Sequence, residues 1–268
     1  MPATSPAFSR ALAFGDDPDT YNALRPPVPR KIVRWMVPEP CHLAVEIGAG
    51  TGLFTRDLAT YAVNVDAIDK DKRMRTFLAR NRPANVRVLS GDAGAMPDVR
   101  ERSAALVTVS SAWHWFDVSK AALEIARVLK DDGWLSVVWT HRDTDVAWMR
   151  EICDLTDRPH EHTPGEFVLP RQAPFGAIDH KELKWPRGMP TMSVVALMGT
   201  YSGMLELQKN NPDEAARVRG QISEILRSVE SDGLVDVPFR TLAFRTQRTP
   251  RPAGGWAGGH RHTPRQLP

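Results

Sequence analysis

Ten residues, Val45-Glu46-Ile47-Gly48-Ala49-Gly50-Thr51-Gly52-Leu53-Phe54, constrain the fold more than any other stretch of this chain. Apolar Leu43, Ala44, Val45 and Ile47 suit a parallel strand covered on both faces. Alternating glycines then let the backbone turn sharply and let a ligand approach without Cβ interference. The turn opens a helix whose first N–H groups face whatever lies above it. This arrangement suits a nucleotide-like cofactor. The dinucleotide fingerprint runs G-x-G-x-x-G, with its third glycine packing helix against strand. Here the spacing is G-x-G-x-G, and Leu53 stands at the third dinucleotide position. Glu46, two places before the first glycine, repels a pyrophosphate but not a cofactor with a cationic amino-acid part. A tight strand-to-helix turn with no ligand is the alternative that these ten residues alone leave open.

The surrounding pattern extends the first strand into a sheet. Ala62-Val63-Asn64-Val65-Asp66-Ala67-Ile68 is a second apolar run, ending in Asp69, 23 residues after Glu46. A carboxylate at the end of the second strand is placed to accept hydrogen bonds from ribose hydroxyls. Val86-Arg87-Val88-Leu89 is followed by Gly91-Asp92-Ala93, and Ala104 to Val109 leads into Ser110-Ser111-Ala112-Trp113-His114-Trp115-Phe116-Asp117. Trp134 to Trp139 follows Asp132-Gly133. Strands alternating with helical stretches point to βαβ units and a parallel sheet.

Between the fourth and fifth runs, Val118, Ala121, Ala122, Ile125, Ala126 and Leu129 form the stripe of a core-facing helix. Lys120, Glu124 and Arg127 read as its ordinary solvated face. Asp131-Asp132-Gly133 reads as its stop and turn. Six prolines between 157 and 190 (Pro159, Pro164, Pro170, Pro174, Pro186, Pro190) predict mostly loop, with a strand over Lys181–Trp185. Thr191–Tyr201 reads as a short apolar helix. Asn211-Pro212-Asp213-Glu214 is a helix start with a capping Asn, Pro at the first position and acids in the first turn. Val235–Thr246 reads as the last strand.

These residues carry a resemblance. Glu46-x-Gly48-x-Gly50-x-Gly52, Asp69, Gly91-Asp92-Ala93, and Ala122–Lys130 followed by Gly133 resemble the class I S-adenosylmethionine-dependent methyltransferases. Phe14-Gly15, Tyr21, Arg25-Pro26, the Trp113–Asp117 motif, Gly199-Thr200-Tyr201-Ser202 and Val235–Thr241 are similar to a small-molecule bacterial branch of that superfamily, which includes trans-aconitate and quinone-biosynthesis methyltransferases. The similarity spans roughly residues 14 to 247. It implies an α/β, Rossmann-like, doubly wound and mostly parallel sheet, with helices on both faces. The last two strands are implied to form an antiparallel hairpin, leaving an antiparallel C-terminal edge strand. It further implies that Glu46, Gly48 and Gly50 hold the methionine half of S-adenosylmethionine, with Ala49, Gly52 and Lys70 also among the cofactor-binding residues. Asp69 would then lie at the ribose, Asp92 and Ala93 at the adenine edge, and Ser110 near the sulfonium. Many relatives carry Glu where this chain has Asp69; the shorter carboxylate still reaches a diol.

Length and composition suit one catalytic domain, residues 1–247, with an N-terminal cap over about 14–40. The formal charge of +3 belongs to the tail: residues 248–268 hold four arginines and no acid, and without them the charge is −1. That tail is Pro/Gly-rich and is expected to be disordered. An inert extension and a loose polyanion contact are its two readings, the first favoured. His260 and His262 within it are not read as a metal site, and no metal is expected. Cys41 and Cys153 show no metal or redox spacing, which suits a reduced cytoplasmic protein. No apolar run spans a bilayer and no signal segment opens the chain, so no membrane partner is expected. The Asn/Asp-Pro-Pro-aromatic signature of amino-methylating nucleic-acid enzymes is missing; Ser110-Ser111-Ala112-Trp113 stands there instead. No basic-aromatic patch interrupts the fold, so nucleic acid is not expected either. The expected partner is a small-molecule methyl acceptor, and the oligomeric state stays open. A cofactor-binding protein without transferase activity is a second reading, and a nucleotide-dependent oxidoreductase a third, disfavoured by the glycine spacing.

Methyl transfer from a sulfonium is an in-line displacement, in which orientation alone supplies about 7–11 kcal/mol. A general base is needed only for a protonated acceptor. His114 is the candidate base; a packed histidine holding the aromatic loop is the other reading. Trp113 and Trp115 either line the acceptor pocket or seal the sheet end. Tyr21, Arg25 and Tyr201 complete the candidate substrate pocket, Arg25 as a carboxylate partner or as an ordinary surface arginine.

Overall fold

The strands are β1 (Leu43–Ile47), β2 (Asn64–Asp69), β3 (Val86–Ser90), β4 (Ala104–Ser110), β5 (Leu129–Arg142), β6 (Phe175–Pro190) and β7 (Leu234–Arg248). They form one sheet in the order β3-β2-β1-β4-β5-β7-β6. The computed structural model describes residues 22–156 and 167–250. Phe14, Gly15, Tyr21, most of the expected tail (251–268) and its His260 and His262 lie outside them.

β1 to β5 pair in parallel, and β7 runs antiparallel to both of its neighbours, β5 and β6. This is the doubly wound, mostly parallel sheet. The antiparallel pair sits at one edge, with β6 outermost. The pair is not a tight hairpin. Three helices, α6 (Thr191–Gly199), α7 (Ser202–Asn210) and α8 (Pro212–Arg227), intervene between its strands.

The sheet is covered on both faces because successive side chains alternate. Ala44, Leu106 and Val138 point to one face, where they pack with Ile32 and Met36 of α1 (Arg30–Met36) and with Phe54 and Leu58 of α2 (Leu53–Leu58). Leu78 of α3 (Lys72–Arg80) joins the same cluster. Val45, Val107 and Val137 point to the other face, against Ala121, Ile125 and Val128 of α4 (Val118–Val128). A third cluster joins α5 (Ala147–Thr156) and α6 to α8 over Val235, Val237 and Phe239 of β7.

Several expectations are corrected. Leu129 does not end α4: it begins β5 and pairs with Ala104, so helix passes straight into strand. The proline-rich second half is not mostly loop where it is described, because β6 runs for 16 residues; Pro159 and Pro164 lie outside the described residues. An edge strand has one neighbour only, so it tolerates Pro186, which sits opposite Pro238. Glu124 and Arg127 are not merely solvated. Glu124 Oε1 accepts from Met96 N at 2.7 Å, while Arg127 Nη2 donates to the carbonyls of Met96 and Val99 at 3.0 and 3.2 Å. The pair, 2.7 Å apart, clamps the loop after β3. The tail boundary also moves: β7 includes Arg248, which is buried, donates to Leu129 O at 2.7 Å and pairs with Asp131 at 3.2 Å. α8 starts as the sequence predicts, with Asn211 Oδ1 accepting from Glu214 N at 3.2 Å.

Candidate active site at the carboxyl end of the sheet

The glycine turn leaves β1 between the carboxyl ends of its neighbours. Each glycine is there for its own reason. A Cβ on Gly48 would lie 2.7 Å from Ala112 Cβ, so the turn packs on the loop after β4. A Cβ on Gly52 would lie 2.1 Å from Leu78 Cδ1, so the start of α2 closes on α3. Gly50 differs: its φ is +56° and a Cβ there would meet nothing within 4 Å. The left-handed backbone favours glycine and the space above it is open. Ala49 is buried beneath, and its N–H donates to Ile68 O at 3.0 Å.

Two carboxylates flank the turn. Asp69 Oδ2 accepts from Gly50 N and Oδ1 from Asp71 N, both at 2.8 Å. Burial raises its pKa, and the two backbone bonds oppose the rise. A carboxylate has about four lone-pair sites, so two backbone bonds leave acceptor capacity on Asp69. Lys70 follows on the surface. Glu46 is only 1% exposed, and its Oε2 accepts from Thr55 Oγ1 at 2.6 Å. Burial pushes its pKa up to about 8, and Asp69 adds to the rise.

Beyond β3, Asp92 Oδ1 accepts from Gly94 N at 2.8 Å, and Ala93 is buried. Ser110 ends β4. Ser111 follows in a left-handed conformation with φ 53°, its N–H donating to Val138 O at 2.8 Å. A short 3-10 turn, Trp113–Trp115, carries the aromatic motif. Trp113 is a core residue, 2% exposed, packed edge-on against Phe167 and Phe116 at centroid distances of 5.1 and 6.0 Å. Its indole finds apolar partners on the covered face, which suits the reading that it seals the sheet end. Trp115 is partly exposed beside His114, 4.5 Å between ring centroids. His114 Nδ1 accepts from Trp139 Nε1 at 3.4 Å.

Arg25 and Tyr201 are brought together although 176 positions separate them: the Arg25 guanidinium lies over the Tyr201 ring, 4.0 Å from its centroid. Arg25 Nη2 also donates to Thr200 O at 2.9 Å. Arg187 Nη1 donates to the carbonyls of Leu24 and Arg25 at 3.1 and 3.4 Å, fastening this segment to β6.

The comparisons with known proteins fit this arrangement. A family model described as a methyltransferase domain matches residues 45–137, from the end of β1 and the glycine turn into β5. An uncharacterised methyltransferase of Mycobacterium tuberculosis is 30% identical over 239 residues, covering 88% of this chain and 95% of the relative. The chain belongs to this methyltransferase family. A methyltransferase-like protein of Schizosaccharomyces pombe is 28% identical over 248 residues, covering 88% of this chain and 96% of its own. The fold recurs in a structure provisionally assigned as a type II methyltransferase of Anaeromyxobacter dehalogenans, with a TM-score of 0.67 at 20% identity, covering 85% of this chain and 99% of that one. Class I methyltransferases of this kind take S-adenosylmethionine as methyl donor, and the open face of Gly50 beside Asp69 fits that cofactor.

Sequence reasoning missed one part of the methyltransferase. The fifth apolar run stops at Trp139, which leaves Thr140, His141 and Arg142 outside it. The strand continues because β7 pairs with it: Thr140 stands opposite Thr241, His141 opposite Arg240 and Arg142 opposite Phe239. The signal available in the sequence was position alone. These are polar residues at the carboxyl end of a strand next to β4, where open α/β sheets bind their ligands.

Proposed function

We propose that this methyltransferase transfers the methyl group of S-adenosylmethionine to a small-molecule acceptor through an oxygen or nitrogen nucleophile. S-adenosylmethionine supplies a methyl already activated on a sulfonium, so the chain's task is alignment. Glu46, Gly48, Ala49, Gly50 and Gly52 surround the methionine half, and the Glu46 carboxylate offers its charge to the ammonium. Asp69 and Lys70 sit at the ribose, Asp92 and Ala93 at the adenine edge, and Ser110 at the sulfonium. The observation that carries this reading is the open space over Gly50, bordered by the spare acceptor capacity of Asp69. The clamp of Glu124 and Arg127 holds the Asp92 loop in place for it.

His114 stands in the loop nearest the expected methyl. With Nδ1 accepting from Trp139, the neutral ring carries its proton on Nε2. That tautomer favours an acceptor that arrives ionised over one that must lose a proton to His114. Cys41 and Cys153 are buried and lie outside any disulfide, in keeping with a reducing cytoplasm. Among the described residues no helix is long and apolar enough to cross a membrane.

Calorimetry with S-adenosylhomocysteine tests the cofactor site, and transfer of labelled methyl into a fractionated cell extract tests the acceptor class. Label in the small-molecule fraction is the expected result. Label confined to nucleic acid or protein sinks the small-molecule reading.

A further inference from the structure

A second concentration of polar groups lies across β4 from the glycine turn, at the carboxyl end of β5. Both the Arg25 and Arg142 guanidiniums stack over the Tyr201 ring, at 4.0 and 3.8 Å from its centroid. Arg25 is steadied by Thr200 O at 2.9 Å and Arg142 by Thr156 Oγ1 at 3.1 Å. Tyr201 Oη and His141 Nε2 are shielded from solvent, and neither has a hydrogen-bond partner among the described residues. Buried polar atoms without partners cost stability that a ligand hydrogen-bonding to them recovers. Burial drives the His141 pKa down to about 3, and the charges that add most to the depression are Arg142, His114, Arg240 and Arg25, all basic. Arg240 is already paired with Glu182 at 2.7 Å and Asp145 at 3.5 Å. The positive field at this imidazole attracts an anion.

The cluster is also in the right place. Val138 pairs with Ser110, and Trp139 joins His114, so the end of β5 abuts the loop after β4. A molecule held here approaches that loop from the side opposite Asp69.

We propose that Tyr201, His141, Arg25 and Arg142 form the acceptor subsite, and that it selects a small molecule carrying a carboxylate. The planar guanidiniums match a planar carboxylate fork to fork, and Tyr201 Oη donates a further hydrogen bond. A carboxylate so held is a handle; the methyl goes to another atom of the same molecule. This assignment rests on the methyl-transfer reading above.

The test uses the full chain saturated with S-adenosylhomocysteine. Short straight-chain mono- and dicarboxylates, the matching amides and the matching alkyl phosphates are titrated by calorimetry and thermal shift. Wild type, Tyr201→Phe and Arg142→Gln are compared. Carboxylates are expected to bind and amides not. Tyr201→Phe should keep the ligand-free melting temperature at or above wild type, since a hydroxyl without a partner is removed. It should weaken carboxylate binding about tenfold, the size of one charge-assisted hydrogen bond. Arg142→Gln should weaken it further, with affinity for S-adenosylhomocysteine unchanged in both variants. The proposal is overturned if no carboxylate binds better than its amide, if phosphates bind better than carboxylates, or if the preference survives both substitutions. A wild-type chain that fails to bind S-adenosylhomocysteine overturns the cofactor assignment instead, and the subsite with it.

Discussion

The backbone N–H of Gly50 donates to Asp69 Oδ2 at 2.8 Å, tying the turn after β1 to the end of β2. One carboxylate thus shapes the turn and borders the space above it. Asp69→Ala removes both functions, so its effect on the cofactor should exceed that of deleting a ribose hydroxyl from the ligand. Hydrogen bonds to a charged group contribute roughly 1.5–3 kcal/mol, and a loss of at least that size is expected by calorimetry with S-adenosylhomocysteine. A 2′-deoxy analogue should bind wild type more weakly and lose little further in the variant. Additive losses would remove Asp69 from the ribose site.

Glu46 makes the apo protein sensitive to pH. Its pKa stands at about 8 in the folded chain against 4.5 ordinarily, because burial disfavours the charged form. The folded state therefore keeps a proton that the unfolded state releases above about pH 4.5. The contribution of this group to stability is full below that pH and is lost as pH climbs through about 8. Glu46→Gln should flatten the fall in melting temperature across that window. It should also abolish any rise in cofactor affinity over the same window, since the ionised carboxylate is the form that attracts an ammonium. An unchanged pH profile in the variant rules Glu46 out as the titrating group.

Gly50 and Gly52 should separate binding from folding. Gly50→Ala meets no atom within 4 Å, so its structural cost is the left-handed backbone, about 1–2 kcal/mol, while its methyl enters the ligand's space. Gly52→Ala drives a methyl to 2.1 Å from buried Leu78, and overpacking of about 1–3 kcal/mol adds to a similar backbone strain. Gly50→Ala is expected to lose more affinity for S-adenosylhomocysteine, and Gly52→Ala more melting temperature. The reverse order would place the ligand away from Gly50.

The two halves of the site differ in how far the sequence discloses them, and the reason is physical. Glu46, the glycines, Asp69 and Asp92 lie at the ends of consecutive strands, each bounded by its own apolar run, so period and spacing suffice to line them up. Arg25, His141, Arg142 and Tyr201 come from separate segments, joined only when β7 pairs with β5 and Arg187 fastens the N-terminal segment to β6. No local pattern encodes that meeting. The same limit hides β6. Its prolines look like loop until the strand is seen to be an edge, and the clamp of Glu124 with Arg127 looks like solvated helix until the Met96 loop lies over it.

Arg248 belongs to the last strand and is tied into the sheet. Its guanidinium is buried, donates to Leu129 O at 2.7 Å and pairs with Asp131, which in turn bonds Arg102 at 2.6 Å. Thr249 N adds a hydrogen bond to Pro174 O at 2.9 Å. Truncation after Gln247 removes the Arg248 and Thr249 bonds and leaves the Leu129 carbonyl without that donor at the junction of α4 and β5. A net loss of about 1–3 kcal/mol is expected, read as a fall of a few degrees in melting temperature. Truncation after Pro250 spares them. It removes a Pro/Gly-rich stretch with too few apolar residues to offset the entropy of ordering, and should change neither melting temperature nor affinity for S-adenosylhomocysteine. Equal melting temperatures for the two truncations would mean that Arg248 contributes nothing. A loss on cutting after Pro250 would mean that Trp256 or its neighbours dock on the domain.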